Sequence, residues 1–273
     1  MAKQLNFPDL AGLMVPSPTP FNDAMGVDEG ALARHLEYLA GHGVSRLLVN
    51  GTTGEFFSLL PEERRLLLKL SRRHFPGTIL FNTASDSLLQ SLDAARWAGD
   101  FGADAIVAMA PYYFADAPSE GLVEYFNRLE GSVQLPLVLY NFTKHTNNPL
   151  TPWILDRVRH IAIKDSSGDR SLMGSTPCYL AGTSRQMVEW HEAGAGGFVS
   201  ALANHLPELY LRLEQYLSDG DMDGAKELQT EICGRCDDMK GVGEIAAIKE
   251  KLSALIPGYT GRVRLPLLPR SPV

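Results

Sequence analysis

The segment Arg46–Asn82 reads RLLVNGTTGEFFSLLPEERRLLLKLSRRHFPGTILFN and contains one complete strand–loop–helix–strand unit. Its two apolar runs, Arg46–Asn50 and Thr78–Asn82, have the length and the hydrophobicity of strands that are buried on both faces. Between them, Pro61–Phe75 begins with Pro-Glu-Glu, which is favourable in the first turn of a helix. Such a unit is typical of a parallel sheet whose strands are joined by helices.

The same alternation of short apolar runs and amphipathic segments extends along the whole chain. The predicted strands are Gly12–Val15, Arg46–Asn50, Thr78–Asn82, Ala105–Ala110, Leu137–Tyr140, Ile161–Ile163, Tyr179–Ala181 and Gly197–Ser200. The predicted helices are Asp28–Gly41, Pro61–Phe75, Asp86–Phe101, Ser119–Leu129, Thr151–Val158, Ser184–Ala193 and Pro207–Leu217, with further helix within Met222–Ile256.

Eight strand–helix units without a linker favour a closed (β/α)₈ barrel, or TIM barrel, in the α/β class, over a doubly wound open sheet. We expect the barrel through strand eight to occupy residues 1–205. Residues 206–273 then form the last barrel helix and a C-terminal helical extension of the same structural unit. Only residues 165–177 separate the sixth and seventh strands, so the helix there must be short or absent.

Composition excludes several classes of protein. The chain has 273 residues, of which 45% are hydrophobic and 21% charged, and a formal net charge of -7. This acidic balance argues against binding to nucleic acid or to an anionic membrane surface. The first residues have no apolar signal sequence, no apolar stretch approaches a bilayer span, and three cysteines are too few for a disulfide scaffold. We therefore expect a cytoplasmic protein.

Metal and nucleotide cofactors find little support in the motifs. Cys233 and Cys236 form a C-x-x-C inside a helical pattern, without the second pair that a zinc site requires. The histidines form no H-E-x-x-H pattern, the glycine clusters at Gly41–Gly43 and Gly194–Gly197 precede strands, and no P-loop is present. We predict no bound metal and no organic cofactor.

Three strand ends carry residues suited to chemistry, and active sites of barrels lie where strands end. After the second strand, Gly51-Thr-Thr-Gly-Glu55 can offer backbone N–H groups and hydroxyls to an anion such as a carboxylate. Lys164 follows the sixth strand. Burial lowers the pKa of a lysine, and a neutral amine can form a Schiff base with a ketone, although an ion pair with Asp165 is an alternative role. Tyr140 ends the fifth strand and could transfer protons, while Tyr113 follows the fourth.

Together these residues describe a site for an α-keto acid, and the chain resembles the dihydrodipicolinate synthase / N-acetylneuraminate lyase family of Schiff-base aldolases. The resemblance runs from about Gly12 to Pro266, nearly the whole chain. The segments that carry it are Gly51–Glu55, Pro111–Tyr113, Tyr140–Asn141, Ile163–Gly168, Ala203–Asn204 with Pro207, Ala247–Lys249 and Arg264–Leu267.

The resemblance implies roles for individual residues. Lys164 resembles the lysine that forms a covalent imine with pyruvate or a related 2-keto acid, and Tyr140 the phenol that transfers protons, assisted by Thr52. Thr52 and Thr53, with Gly51, resemble the turn that holds the carboxylate. Two further positions are implied. Tyr113 resembles a tyrosine that contributes to the active site of the neighbouring subunit, and Val199 resembles a residue whose carbonyl lines the pocket. The implied assembly is a homotetramer built as a dimer of dimers.

The segment after Tyr140 departs from the synthases of this family. Those enzymes continue Tyr-Asn with a proline and an Arg-Thr-Gly that binds the carboxylate of the second substrate. Here Thr143 stands for the proline, His145 for the arginine and Asn147 for the glycine. We expect His145 to contact the second substrate, with the adjacent Lys144 as a second candidate.

These departures favour a lyase that cleaves or forms a C–C bond between pyruvate and an aldehyde, acting on a 2-keto-3-deoxy sugar acid. Dihydrodipicolinate synthase is the first alternative. A keto-deoxy sugar acid dehydratase that uses the same imine is the second, since Gly54–Leu59 resembles that branch. A non-catalytic barrel that binds a keto acid is the third, although Lys164 and Tyr140 argue against it.

Overall fold

The computed structural model describes residues 5–236 and 243–270. Eight parallel strands form a closed barrel in which every strand pairs with its neighbours in sequence and β1 pairs with β8. This closure excludes the open doubly wound sheet. The strands are β1 Gly12–Pro16, β2 Arg46–Val49, β3 Thr78–Asn82, β4 Ala105–Met109, β5 Leu137–Asn141, β6 Ala162–Asp165, β7 Tyr179–Ala181 and β8 Gly197–Val199.

Helices surround the barrel and continue beyond it. They are α1 Phe7–Leu10, α2 Glu29–Gly41, α3 Pro61–His74, α4 Leu88–Asp100, α5 Ser119–Glu130, α6 Thr143–Thr146, α7 Pro152–Leu155, α8 Met187–Glu192, α9 Pro207–Asp219, α10 Met222–Cys236 and α11 Glu244–Leu255. Short 3₁₀ turns occupy Phe56–Ser58, Arg170–Ser175 and Ala201–Asn204. No described helix is long and apolar enough to cross a bilayer.

The pleat of the strands divides their side chains between two apolar clusters. On β2, Leu48 belongs to the inner cluster, which fills the barrel, whereas Leu47 and Val49 pack against the helices outside. The same alternation on β5 turns Val138 and Tyr140 inward. The centre of the barrel is therefore a packed core.

Two predicted helices are shorter than their sequence patterns indicated. Thr151–Val158 contains only α7, and Ser184–Ala193 contains only α8. The start of α8 is delayed because the Thr183 hydroxyl accepts the N–H groups of Arg185 and Gln186 and holds them in a loop. The crossover after β6 contains only a short 3₁₀ helix, as its length predicted. Residues 237–242, inside the predicted helical region Met222–Ile256, lie outside the described residues.

Candidate active site

A cavity of about 950 Å³ opens at the carboxyl ends of the strands. Six of the eight predicted site residues line it: Thr52, Thr53, Tyr140, His145, Lys164 and Val199. The other polar and charged residues of its wall are Lys144, Ser166, Thr183, Ser184, Arg185, Gln186 and Glu244.

Lys164 lies within β6, because this strand extends to Asp165 rather than ending at Ile163 as predicted. Residues two apart on a strand share a face, so Lys164 points into the barrel together with Ala162. The side chain is only 8% exposed, and its Nζ lies 3.4 Å from the Ser166 hydroxyl. The amine thus lies in the largely apolar interior of the barrel, at the point where it opens into the cavity.

The Asp165 carboxylate faces away from Lys164. It accepts hydrogen bonds from the Asn141 amide at 2.7 Å and from the Tyr179 hydroxyl at 2.6 Å. It also accepts the Ser167 hydroxyl and the backbone N–H groups of residues 167–169. Burial, followed by the bond to this carboxylate, raises the pKa of Tyr179. Asp165 therefore fixes the loop after β6, and no described carboxylate forms an ion pair with Lys164.

Tyr140 lies beside Lys164 because the register of β5 and β6 pairs these two residues. The Lys164 Nζ stands 3.5 Å from the centre of the Tyr140 ring, a cation–π distance. The Tyr140 hydroxyl is 3.3 Å from the Thr52 hydroxyl, so a proton can pass between them. Amine, phenol and threonine thus form one connected group.

The turn after β2 presents Thr52 and Thr53 to the cavity. Asn50 and Glu55 flank it with φ angles of 60° and 56°, a left-handed conformation that reverses the chain sharply. Side-chain amides of Asn50 and Asn82 each donate to the other residue's carbonyl, at 2.7 and 2.8 Å, and fix the strand ends below the turn. Gly51 is buried against Leu48 beneath the turn rather than on the cavity wall.

Lys144 and His145 belong to α6 and line the outer part of the cavity. The segment after β5 therefore lines the same cavity as Lys164 and Tyr140. The His145 ring packs edge-on against Phe142, 4.2 Å between centroids. Partial desolvation and the neighbouring Lys144 ammonium both lower the pKa of His145 below its usual value. The imidazole is therefore neutral at pH 7 and offers single hydrogen bonds.

Tyr113 lies outside the cavity of its own chain. Its side chain is 79% exposed, and the Asp86 carboxylate accepts the backbone N–H groups of Tyr112 and Tyr113 at 2.7 and 2.8 Å. Phe114 is also largely exposed and packs edge-on against Tyr113. Asp86 thus presents an aromatic group to solvent beyond the end of β4.

The C-terminal extension contributes to the site, which the sequence patterns did not reveal. Glu244, Ile245 and Ile248 of α11 line the cavity, and Arg185 reaches it from the loop after β7. One signal was present: Lys249 interrupts the apolar face of α11, where a charged residue needs a buried partner. Among the described residues, no cluster of histidine, cysteine, aspartate or glutamate could hold a metal ion.

Family and structural comparisons agree with this geometry. The model of the dihydrodipicolinate synthetase family matches residues 9–272. The chain belongs to this family. Its membership confirms the resemblance seen in the sequence and, with it, the prediction of an aldolase-type lyase on a TIM barrel.

Solved structures of relatives superpose over nearly the whole chain. Dihydrodipicolinate synthase from Bacteroides thetaiotaomicron is 31% identical with a TM-score of 0.89, covering 96% of this chain and 94% of that one. YagE from Escherichia coli K12, a family protein in complex with pyruvate, is 25% identical with a TM-score of 0.88, covering 95% and 93%. A variant of 2-keto-3-deoxygluconate aldolase from Sulfolobus solfataricus is 25% identical with a TM-score of 0.87, covering 95% and 91%.

Proposed function

We propose that this chain is a Schiff-base lyase that cleaves a 2-keto-3-deoxy sugar acid into pyruvate and a hydroxylated aldehyde, or joins the two. The observation that supports this proposal is the connected group of Lys164, Tyr140 and Thr52, with the amine 3.5 Å from the phenol ring and the phenol 3.3 Å from the threonine. The similarity to a 2-keto-3-deoxygluconate aldolase and to a pyruvate complex supports the substrate class.

The reaction begins when the Lys164 amine adds to the C2 carbonyl. Tyr140 then gives its proton to the departing hydroxyl, so that water leaves and an iminium on the lysine and a Tyr140 phenolate result. Tyr140 accepts the proton of the C4 hydroxyl, the C3–C4 bond breaks, and its electron pair moves toward the iminium nitrogen. An enamine and a free aldehyde result. Protonation of C3 and addition of water to the iminium then release pyruvate and restore the amine. Thr52 and Thr53 hold the carboxylate of the keto acid throughout.

Dihydrodipicolinate synthase activity is a second candidate, because Lys144 also lines the cavity. Its ammonium could serve as a point charge for the second carboxylate where the synthases use an arginine. Two considerations favour the sugar acid. His145 gives only single neutral hydrogen bonds, and the hydroxyl-bearing residues Ser166, Thr183 and Ser184 line the cavity.

A panel assay separates these functions. Purified protein is incubated with 2-keto-3-deoxy sugar acids, and in the opposite direction with pyruvate plus aspartate semialdehyde or plus glyceraldehyde. The proposal expects pyruvate release from a sugar acid and condensation with the hydroxylated aldehyde. Faster condensation with aspartate semialdehyde would establish the synthase. Loss of water without C–C cleavage would establish a dehydratase. If the protein turns over none of the compounds, the result favours a binding protein.

We also propose that the working unit is a homo-oligomer in the cytoplasm, a dimer of dimers in which Tyr113 enters the site of a neighbouring subunit. The support is the exposed aromatic group after β4 and the family membership. Aromatic side chains that large are usually covered in the functional assembly.

A further inference from the structure

A fully buried ion pair connects the turn after β2 to the C-terminal helix. Glu55 and Lys249 are both 0% exposed, and the Lys249 ammonium donates directly to the Glu55 carboxylate. The same ammonium donates to the carbonyl of Arg262 at 2.9 Å and lies 4.2 Å from the centre of the Phe21 ring. These two charged groups therefore satisfy one another inside the protein.

On one side of the pair, Glu55 belongs to the turn that presents the two threonines. Its N–H donates to the carbonyl of Thr52 at 3.0 Å, and only Gly54 separates it from Thr53. The left-handed backbone at Glu55 leaves few alternative paths for the turn. The backbone that carries the Glu55 carboxylate is therefore continuous with, and hydrogen-bonded to, the backbone that carries the threonine hydroxyls.

On the other side of the pair, Lys249 belongs to a helix that forms part of the cavity wall. Ile248, the residue before it, lines the cavity, as does Ile245 one turn earlier. The ion pair therefore ties two walls of one cavity: the turn with the threonine hydroxyls and the apolar face of α11.

The chain after α11 is held by the same carboxylate. The second Glu55 oxygen accepts the backbone N–H of Arg264 at 2.9 Å. The Arg264 guanidinium lies 4.4 Å from the Phe21 ring and forms an ion pair with Glu63 on α3. Glu63 thus anchors the same segment from outside the cavity, without contact to the threonine turn.

We infer that Glu55 and Lys249 are positioning residues for the 2-keto acid: they fix Thr52 and Thr53 at the distance from α11 that binding requires. This inference rests on the proposed function. An ion pair without solvent contact is an inefficient way to stabilise a fold, since apolar residues of similar volume often do as well. What this ion pair provides is a fixed distance and direction between the threonine turn and α11.

The pair is also sensitive to removal of one partner. Burial lowers the pKa of Lys249 to about 8, and the Glu55 carboxylate opposes that shift. A single substitution leaves the other group buried without its counter-charge, which destabilises the protein as a whole. The double substitution Glu55→Gln with Lys249→Met removes both charges and keeps similar volumes, so it separates positioning from stability.

The test measures pyruvate binding by borohydride trapping of the imine as a function of pyruvate concentration, together with Tm. We compare wild type, Glu55→Gln, Lys249→Met, the double variant, and Glu63→Gln as a control that loosens the same C-terminal segment. In the double variant we expect Tm near that of wild type but a half-saturating pyruvate concentration raised by about tenfold or more. Small misplacements of groups in an active site cause losses of this size. Glu63→Gln should lower Tm and leave half-saturation within about twofold.

Each outcome decides between the alternatives. A double variant that folds and binds pyruvate like wild type overturns the inference and leaves the proposed function intact. Equal losses of pyruvate binding in Glu63→Gln and in the double variant would mean that general loosening is the cause. If wild type itself traps no 2-keto acid, the proposed function fails and this inference fails with it. Should the single variants not fold, the double variant alone carries the test.

Discussion

At the scale of single residues, the position of Lys164 follows from strand geometry. A residue one place earlier or later on β6 would point toward the helices, as Ile163 and Asp165 do. The burial of the amine and the neighbouring Tyr140 ring suit the role of nucleophile that we propose for Lys164. No other described lysine combines burial in the barrel with access to the cavity.

We predict that Lys164→Arg abolishes the imine, because a guanidinium stays protonated and cannot attack a carbonyl. Borohydride with pyruvate should leave a reduced adduct on Lys164 in wild type and none in the variant, and turnover should fall at least about a thousandfold. Mass spectrometry of a digest locates the adduct. Lys69→Arg, on the outer surface against Phe101, serves as the control and should be trapped normally. An adduct on a different lysine would refute this role.

Substrate choice should respond to His145. An arginine there would bind a second carboxylate bidentately, whereas the neutral imidazole offers one hydrogen bond. We expect His145→Arg to improve kcat/KM for aspartate semialdehyde by about thirtyfold, since a charged hydrogen bond contributes about 2 kcal/mol. Steady-state assays with both aldehydes measure the change. If wild type already favours aspartate semialdehyde, Lys144→Ala shows whether the ammonium holds its carboxylate.

His35 should make the fold sensitive to acid. It is fully buried with both ring nitrogens unpartnered among the described residues, and burial lowers its pKa from 6.5 to about 3. Between those values the unfolded chain binds a proton that the native chain does not, so stability is complete above pH 6.5 and falls as the pH decreases. From pH 6.5 to 5 the loss is about 2 kcal/mol.

Urea unfolding at pH 7 and pH 5 measures this loss. His35→Leu should remove most of the pH dependence, whereas His74→Gln, which affects a histidine at the surface near Glu37, should preserve it. The same acid sensitivity in wild type and His35→Leu would assign the effect to other groups.

At the scale of elements, the sequence predicted all eight strands to within two residues, because strands buried on both faces have a strong apolar signature. It also predicted the short crossover after β6, which chain length alone required. The ends of α7 and α8 were wrong, since local hydrogen bonds such as those to the Thr183 hydroxyl decide where a helix begins. The contribution of α11 to the cavity could not be predicted, because it depends on contacts between residues far apart in sequence.

The contact between the ends of β6 and β7 requires a glycine. A Cβ at Gly182 would lie 2.4 Å from the Ser166 hydroxyl and 2.8 Å from the carbonyl of Asp165, closer than atoms can approach. We predict that Gly182→Ala displaces Ser166 and the end of β6, lowering stability by about 1–3 kcal/mol and reducing kcat. Chemical denaturation and kinetics measure both effects. Gly174→Ala, in open space, is the control, and equal effects of the two variants would contradict this explanation.

At the scale of the whole molecule, the exposed Tyr113 side chain should complete the active site of a second subunit. We predict that Tyr113→Phe and Lys164→Ala are each nearly inactive, but that the two chains regain activity when co-expressed. Random pairing in a two-fold dimer gives about one quarter of wild-type activity, because a mixed pair has one complete site. Size-exclusion chromatography with activity assays measures the recovery. Normal activity of a Tyr113→Phe protein, or of a monomer, would exclude a shared site.

The bond between Glu55 and Lys249 spans 194 residues of sequence, and this has a consequence for synthesis of the chain. The threonine turn leaves the ribosome early, yet its supporting lysine follows only after all eight strands. Until then β1 lacks its partner β8, and the Glu55 carboxylate lacks its counter-charge. A nascent chain therefore exposes an open sheet edge and an unsatisfied acid for most of its translation, so chaperones that shield such edges should determine how much active protein a cell obtains.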